Sequence, residues 1–146
     1  MLDLWLAIAH HLLIFALFGI LAAELVSVRR GMSRKTVTLI ASIDIWYGIL
    51  AGLILVVGFA RAIFAAKGWF YYSHNLFFWA KITTFFLVAL LSLPPTLQFI
   101  RWAQTNETPP DGAVQRVRAF LFAELFLFAL LPVFAAAMAR GYGEHV

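Results

Sequence analysis

Residues 39–60 read Leu-Ile-Ala-Ser-Ile-Asp-Ile-Trp-Tyr-Gly-Ile-Leu-Ala-Gly-Leu-Ile-Leu-Val-Val-Gly-Phe-Ala, with Asp44 as the single charged side chain. A helix needs about 20 apolar residues to cross the hydrocarbon core of a bilayer, and this run is long enough. Strands of a membrane barrel alternate polar and apolar side chains every second residue, which this run does not. In lipid a lone segment satisfies its backbone only as a helix. The run extends to about 37–64, and the same reading applies to about 4–28, 76–100 and 117–139. The expected fold is therefore all-α: an antiparallel four-helix transmembrane bundle forming one integral membrane domain over residues 1–146.

Composition agrees. The 146 residues are 64% hydrophobic, 16% aromatic and 12% charged, with a mean hydropathy of +0.91. A soluble domain carries about 45–50% apolar and about 25% charged residues, so water is the wrong solvent for this chain. An ordinary soluble enzyme, a disordered segment and a nucleic-acid module are excluded. The net charge of +4 comes from basic residues beside apolar runs, which read as topology signals at a lipid surface. With no cysteine, disulfides, iron–sulfur clusters, zinc thiolates and covalent c-type haem are excluded.

The first run has no basic leader, exceeds a signal-peptide core in length and is followed by no small-residue cleavage site, so it reads as a retained span. Arg29, Arg30, Arg34 and Lys35 crowd the first loop, and Arg101, Arg116 and Arg118 flank the third, partly offset by Glu107 and Asp111. The second carries only Arg61 and Lys67. The positive-inside rule then places loops one and three in the cytoplasm and both termini outside, in a bacterial inner membrane. The third loop, Gln104 to Gly112, is the one polar, turn-rich stretch of length. Gly48 and Gly52 are spaced for close helix approach, unless they are ordinary membrane-helix glycines. Pro94-Pro95 and Pro132 are expected to kink their spans.

Ionisable groups at bilayer depth cost about 2.5–3.5 kcal/mol each on insertion scales, so each needs a partner or a task. Sorted by depth they form two layers: His10, His11, Arg61, His74 and Lys81 toward the outside, and Glu24, Asp44 and Glu124 toward the cytoplasm. His10 and Glu24 differ by nearly four helical turns and share a face, whereas His11 is rotated by about 100°. Lys81, Thr84, Val88, Ser92 and Thr96 form a stripe expected to face the interior. Each group also has a plain structural reading. The histidines bond a neighbouring helix, Glu24 lies at the interface beside Arg29 and Arg30, and Arg61 and Lys81 snorkel outward. Asp44 and Glu124, on short stems, pair with Arg118 or with each other's neighbours, or carry a proton.

A basic outer pocket suits a planar cofactor bearing carboxylates. Imidazole ligates haem iron, and Arg and Lys neutralise propionates. Without thiols the group would be haem b, with His10, His11 and Lys81 as candidate metal ligands and Arg61, Tyr71, His74 and Trp79 as further lining. The segment 68–79 is an aromatic belt of the kind that anchors a membrane interface; Trp102 anchors the other face, and His145 lies in a tail. Asp44 and Glu124 are the candidate proton-handling residues.

The stretches Asp44-x-x-Tyr47-Gly48, Lys67-Gly68-x-x-Tyr71-Tyr72, Asn75-x-x-Phe78-Trp79-x-Lys81 and Pro95-Thr96 resemble those of a small uncharacterised bacterial family of predicted inner-membrane proteins. That resemblance covers nearly the whole chain and implies a fold without an activity. A His-Leu pair early in the first span and Lys81-Ile82-Thr83 more distantly resemble the small membrane protoporphyrinogen oxidase of bacteria and algae. Its functional histidine and lysine, associated with haem b, fall here on His11 or His10 and on Lys81. The leading expectation is a membrane haem b redox protein exchanging electrons with quinone or a porphyrinogen. The alternatives are an accessory subunit of a larger membrane complex and a small proton- or solute-translocating protein, alone or as a homo-oligomer. No nucleic-acid partner is expected.

Overall fold

The computed structural model describes residues 1–64, 68–105 and 108–143; Lys67, Glu107 and His145, which entered the sequence reading, lie outside them. Five helices form: α1 (Leu2–Ser27), α2 (Arg34–Phe64), α3 (Gly68–Ser73), α4 (Leu76–Gln104) and α5 (Asp111–Ala139). The four long ones are each long and apolar enough to cross a membrane. At 1.5 Å per residue they exceed a hydrocarbon core of about 30 Å, so their ends reach the interfaces. Helix α1 packs on α2, α2 on α4, α4 on α5 and α5 on α1, closing a ring, and α3 lies against α2 and α4.

The seam is apolar. Leu17 and Leu21 of α1, Ile40 and Ile54 of α2, Phe85, Val88 and Phe99 of α4, and Leu121 and Phe128 of α5 are buried together. Outside the ring Trp5, Phe15, Trp46, Phe86, Phe122 and Phe126 are exposed. Helices apolar on every side are what lipid requires, so these faces carry no amphipathic contrast.

The helix ends explain the boundaries. The Asn75 Oδ1 accepts from the backbone N–H groups of Phe77 and Phe78 at 2.9 and 3.3 Å, capping α4. Its Nδ2 donates to the Tyr142 carbonyl at 3.1 Å, and Leu76 N–H donates to the Gly143 carbonyl at 2.9 Å. One fully buried amide thus ties the start of α4 to the end of α5. Past α5, Gly141 takes φ +81, Gly141 N–H donates to Met138 and Tyr142 N–H to Ala137, the glycine-terminated cap expected of a helix that stops abruptly. Gly143 has φ +77, and a Cβ there would meet Phe77 Cδ2 at 2.7 Å, so no other residue fits.

At the opposite end two arginines cap helices that are not their own. Arg34 of α2 donates to the carbonyls of Trp102, Ala103 and Thr105 at the end of α4. Arg118 of α5 donates to Leu25 and Val28 at the end of α1. A cation at a helix C-terminus satisfies unpaired carbonyls and opposes the helix dipole. Arg118 is therefore committed to α1 and pairs with neither Asp44 nor Glu124.

One further expectation is corrected. The polar loop is shorter than its composition implies, because Gln104 ends α4 while Asp111 and Gly112 open α5. Helix α4 runs on through Pro94 and Pro95, and α5 through Pro132. Part of the aromatic belt folds as α3. Gly48 and Gly52 meet no protein atom within 4 Å of an added Cβ; the close approach occurs at Gly58.

Asn75→Ala removes a cap and the clamp to Tyr142. It is expected to destabilise the protein by about 1–3 kcal/mol, read as a lower thermal midpoint in detergent. Asn75→Asp, which keeps the acceptor but loses the donor, is expected to lose less.

Candidate functional site

Four helices bring polar side chains to the interior at two depths. Toward the first-loop end, α1 supplies Glu24, α2 supplies Asp44 and Tyr47, α5 supplies Glu124 and α4 supplies Thr96. The three carboxyls are 2%, 6% and 1% exposed in chain order. Glu24 lies within electrostatic reach of both Asp44 and Glu124. Tyr47 OH donates across the ring to Glu124 Oε2 at 3.3 Å, and Thr96 Oγ1 donates to Asp44 Oδ1 at 3.0 Å. One oxygen each of Glu24 and Glu124 is buried without a hydrogen-bond partner.

Among the described residues no cation balances this layer; the ion pair they form is Arg30–Asp111, 3.6 Å apart and largely exposed. Exposed pairs of that kind contribute little. Three bare negative charges in an apolar bundle are electrostatically prohibitive, so the layer must share protons or receive a positively polarised group. Among the described residues no group of three or more His, Cys, Asp or Glu is arranged to hold a metal ion. The chemistry available here is proton holding.

Toward the other end, His10 of α1, Arg61 of α2 and Lys81 of α4 lie within electrostatic reach of one another. The His10 ring lies on Gly58, where an added Cβ would come within 3.3 Å of its Cε1; the missing side chain makes room for the imidazole. His10 Nδ1 and Arg61 Nε are buried without hydrogen-bond partners, and Lys81 Nζ sits over the Phe78 ring, 5.8 Å from its centroid. Among the described residues no carboxylate pairs with the three. Fourteen residues of α1 separate His10 from Glu24, placing the layers about 21 Å apart.

Of the remaining sequence candidates, only His11 lies within electrostatic reach of His10, and it is turned outward. His11 is exposed, with Nδ1 bonded to the Ala7 carbonyl of its own helix at 2.7 Å, and meets the His10 ring edge-on, 6.3 Å between centroids. His74 is exposed, stacked on Phe70 with its Nδ1 2.9 Å from the Phe70 carbonyl. The Trp79 indole N–H donates to Ser73 at 2.9 Å and its ring faces outward. Tyr71 OH donates to Met138 at 3.2 Å, joining α3 to α5.

One residue, Tyr47, was not among the sequence candidates, and one was counted there without a role: Glu24, assigned to the acidic layer but given an interfacial reading beside Arg29 and Arg30, is buried with Asp44 and Glu124. Its signal was available: Leu17, Leu21 and Glu24 fall at helical spacing on one buried face. Tyr47 follows Asp44 by three residues, on the face that also buries Val37, Ile40 and Ile54, but nothing local shows that its hydroxyl reaches α5.

The family described as "Predicted membrane protein (DUF2214)" matches residues 2–143. The chain belongs to that family, and it is a membrane protein. No curated protein and no solved structure matches it.

Tyr47→Phe keeps the ring and removes the donor to Glu124. A buried acceptor losing its partner costs about 1–3 kcal/mol, so this variant is expected to unfold at lower temperature in detergent. Tyr71→Phe, at a half-buried site, is the comparison and is expected to lose less.

Proposed function

For a member of this membrane-protein family we propose a haem b-binding redox role, with the cofactor held beside His10. The observation that carries it is the convergence of His10, Arg61 and Lys81 from three helices, without an acidic partner among the described residues, around a buried imidazole nitrogen that bonds nothing. The residues fit a site with one histidine: His10 would hold the iron, Lys81 would serve as a second ligand or carboxylate partner, and Arg61 would neutralise a propionate. His11, His74 and Trp79 have no part in it. Bound there, haem would supply one-electron chemistry.

The protein's own share is to desolvate and orient that group and to keep protons at hand. Glu24, Asp44, Glu124 and Tyr47 form the proton-holding layer about 21 Å away along α1. The resemblance of Lys81-Ile82-Thr83 and the histidine pair to membrane protoporphyrinogen oxidases supports a haem-type site, and quinone or a porphyrinogen is the redox partner in this reading. On the positive-inside count the basic cluster faces the periplasm of a bacterial inner membrane, with both termini on that side.

The test is a visible spectrum of the purified chain, oxidised and reduced, after haem supplementation. A Soret band is expected; His10→Ala is expected to abolish it and His11→Ala to leave it. No band, or equal loss in both variants, defeats the proposal.

The unpartnered oxygens of Glu24 and Glu124 favour a second reading, proton translocation through the acidic layer. Proteoliposomes are then expected to show proton flux that Glu124→Gln or Asp44→Asn reduces at least tenfold. A haem spectrum without flux decides against it.

A further inference from the structure

A groove of about 500 Å³ opens toward the lipid between α2 and α4. It is separate from the His10 cluster, so its occupancy is independent of haem. Its walls include Ile45, Leu93 and Ile100, it reaches Ala103 at the end of α4, and its polar lining is Asp44, Tyr47, Ser92, Thr96 and Gln104. Gly48 also lines it, and its missing side chain leaves the groove open on the α2 side.

The hydroxyl hydrogens along this lining are already committed. Thr96 donates to Asp44 Oδ1 at 3.0 Å, Ser92 to the Ala89 carbonyl at 2.8 Å and Tyr47 to Glu124 at 3.3 Å. Beside Asp44 what remains toward the groove is lone pairs: those of Asp44, which has no cation beside it among the described residues, and those of the Ser92 and Thr96 oxygens, while the donor-bearing Gln104 amide lies farther along, at the end of α4. An occupant whose polar head lies at Asp44 must therefore bring a hydrogen-bond donor. Asp44 lies ten residues inside the start of α2, about 15 Å along the helix axis, where a permanently charged headgroup is costly. The volume falls within the range of small-ligand pockets, and its apolar walls Ile45, Leu93 and Ile100 are exposed on the outer, lipid-facing surface of the bundle.

From these constraints we infer that the α2–α4 groove binds a neutral, membrane-dissolved hydroxyl compound. Its alcohol or phenol head donates to Asp44, and its apolar body lies along Ile45, Leu93 and Ile100. Such a ligand would reach the carboxyl layer sideways from the bilayer, making Asp44 the membrane-facing member of that layer.

The probe is 4-nonylphenol against its methyl ether, 4-nonylanisole, which matches it in shape and lacks the donor. Both are titrated into the full chain in detergent micelles, with binding followed by native mass spectrometry. The phenol is expected to bind at least tenfold tighter than the ether. Asp44→Leu is expected to erase that preference. Gly48→Leu, whose added Cβ meets no neighbouring atom, is expected to keep its fold, checked by an unchanged thermal midpoint, and to weaken phenol binding at least tenfold. Equal binding of phenol and ether overturns the inference. So does phenol binding unchanged by Gly48→Leu, or a Gly48→Leu variant that alters only self-association, which would mark the groove as a contact between copies.

Discussion

Lipid gives an ionised or unpaired polar group nothing to bond, and most of this structure is a response to that constraint. The backbone meets it with helices, since each helix satisfies its own N–H and C=O groups except at the ends. The ends meet it with borrowed cations and amides: Arg34 serves the terminus of α4, Arg118 that of α1, and Asn75 both its own helix and the turn after α5. The arginine contacts join non-consecutive helices, and the Asn75 clamp joins the far ends of two consecutive ones. They therefore hold the ring in register where an apolar seam alone would tolerate sliding.

The same constraint makes the two polar layers informative. Apolar side chains would fill the same positions without a desolvation penalty, and replacing buried ionic groups by hydrophobic ones is often neutral or stabilising. Glu24, Asp44, Glu124 and Tyr47 converge from three helices, and His10, Arg61 and Lys81 from three. Neither layer neutralises the other, because about 21 Å of apolar core lies between them. Acidic and basic side chains are thus segregated by depth along the bundle axis.

The four spans and their helical character were legible from hydropathy, because the backbone argument needs only segment length and composition. So was the inward stripe of α4: Thr84 and Val88 are buried, and Lys81, Ser92 and Thr96 partly so. The separation of His10 from His11 was legible too, since a rotation of about 100° is a property of the helix itself. Gly48 and Gly52 have the pattern of a packing face, yet α2 presents them to open space, and Gly58, outside that pattern, receives His10.

Sequence by itself determined that this chain lives in lipid, that it crosses in four helices, and that its acidic and basic residues sit at different depths, because each depends only on local composition and helical geometry. Tertiary structure alone decided which groups meet. Glu24 joins Asp44 and Glu124 rather than Arg29 and Arg30, Arg118 turns to α1 rather than to a carboxylate, and Tyr47 reaches across to α5. In helices apolar on every side, hydrophobic contrast cannot say which face turns inward. Only the packing of four surfaces around a common axis can.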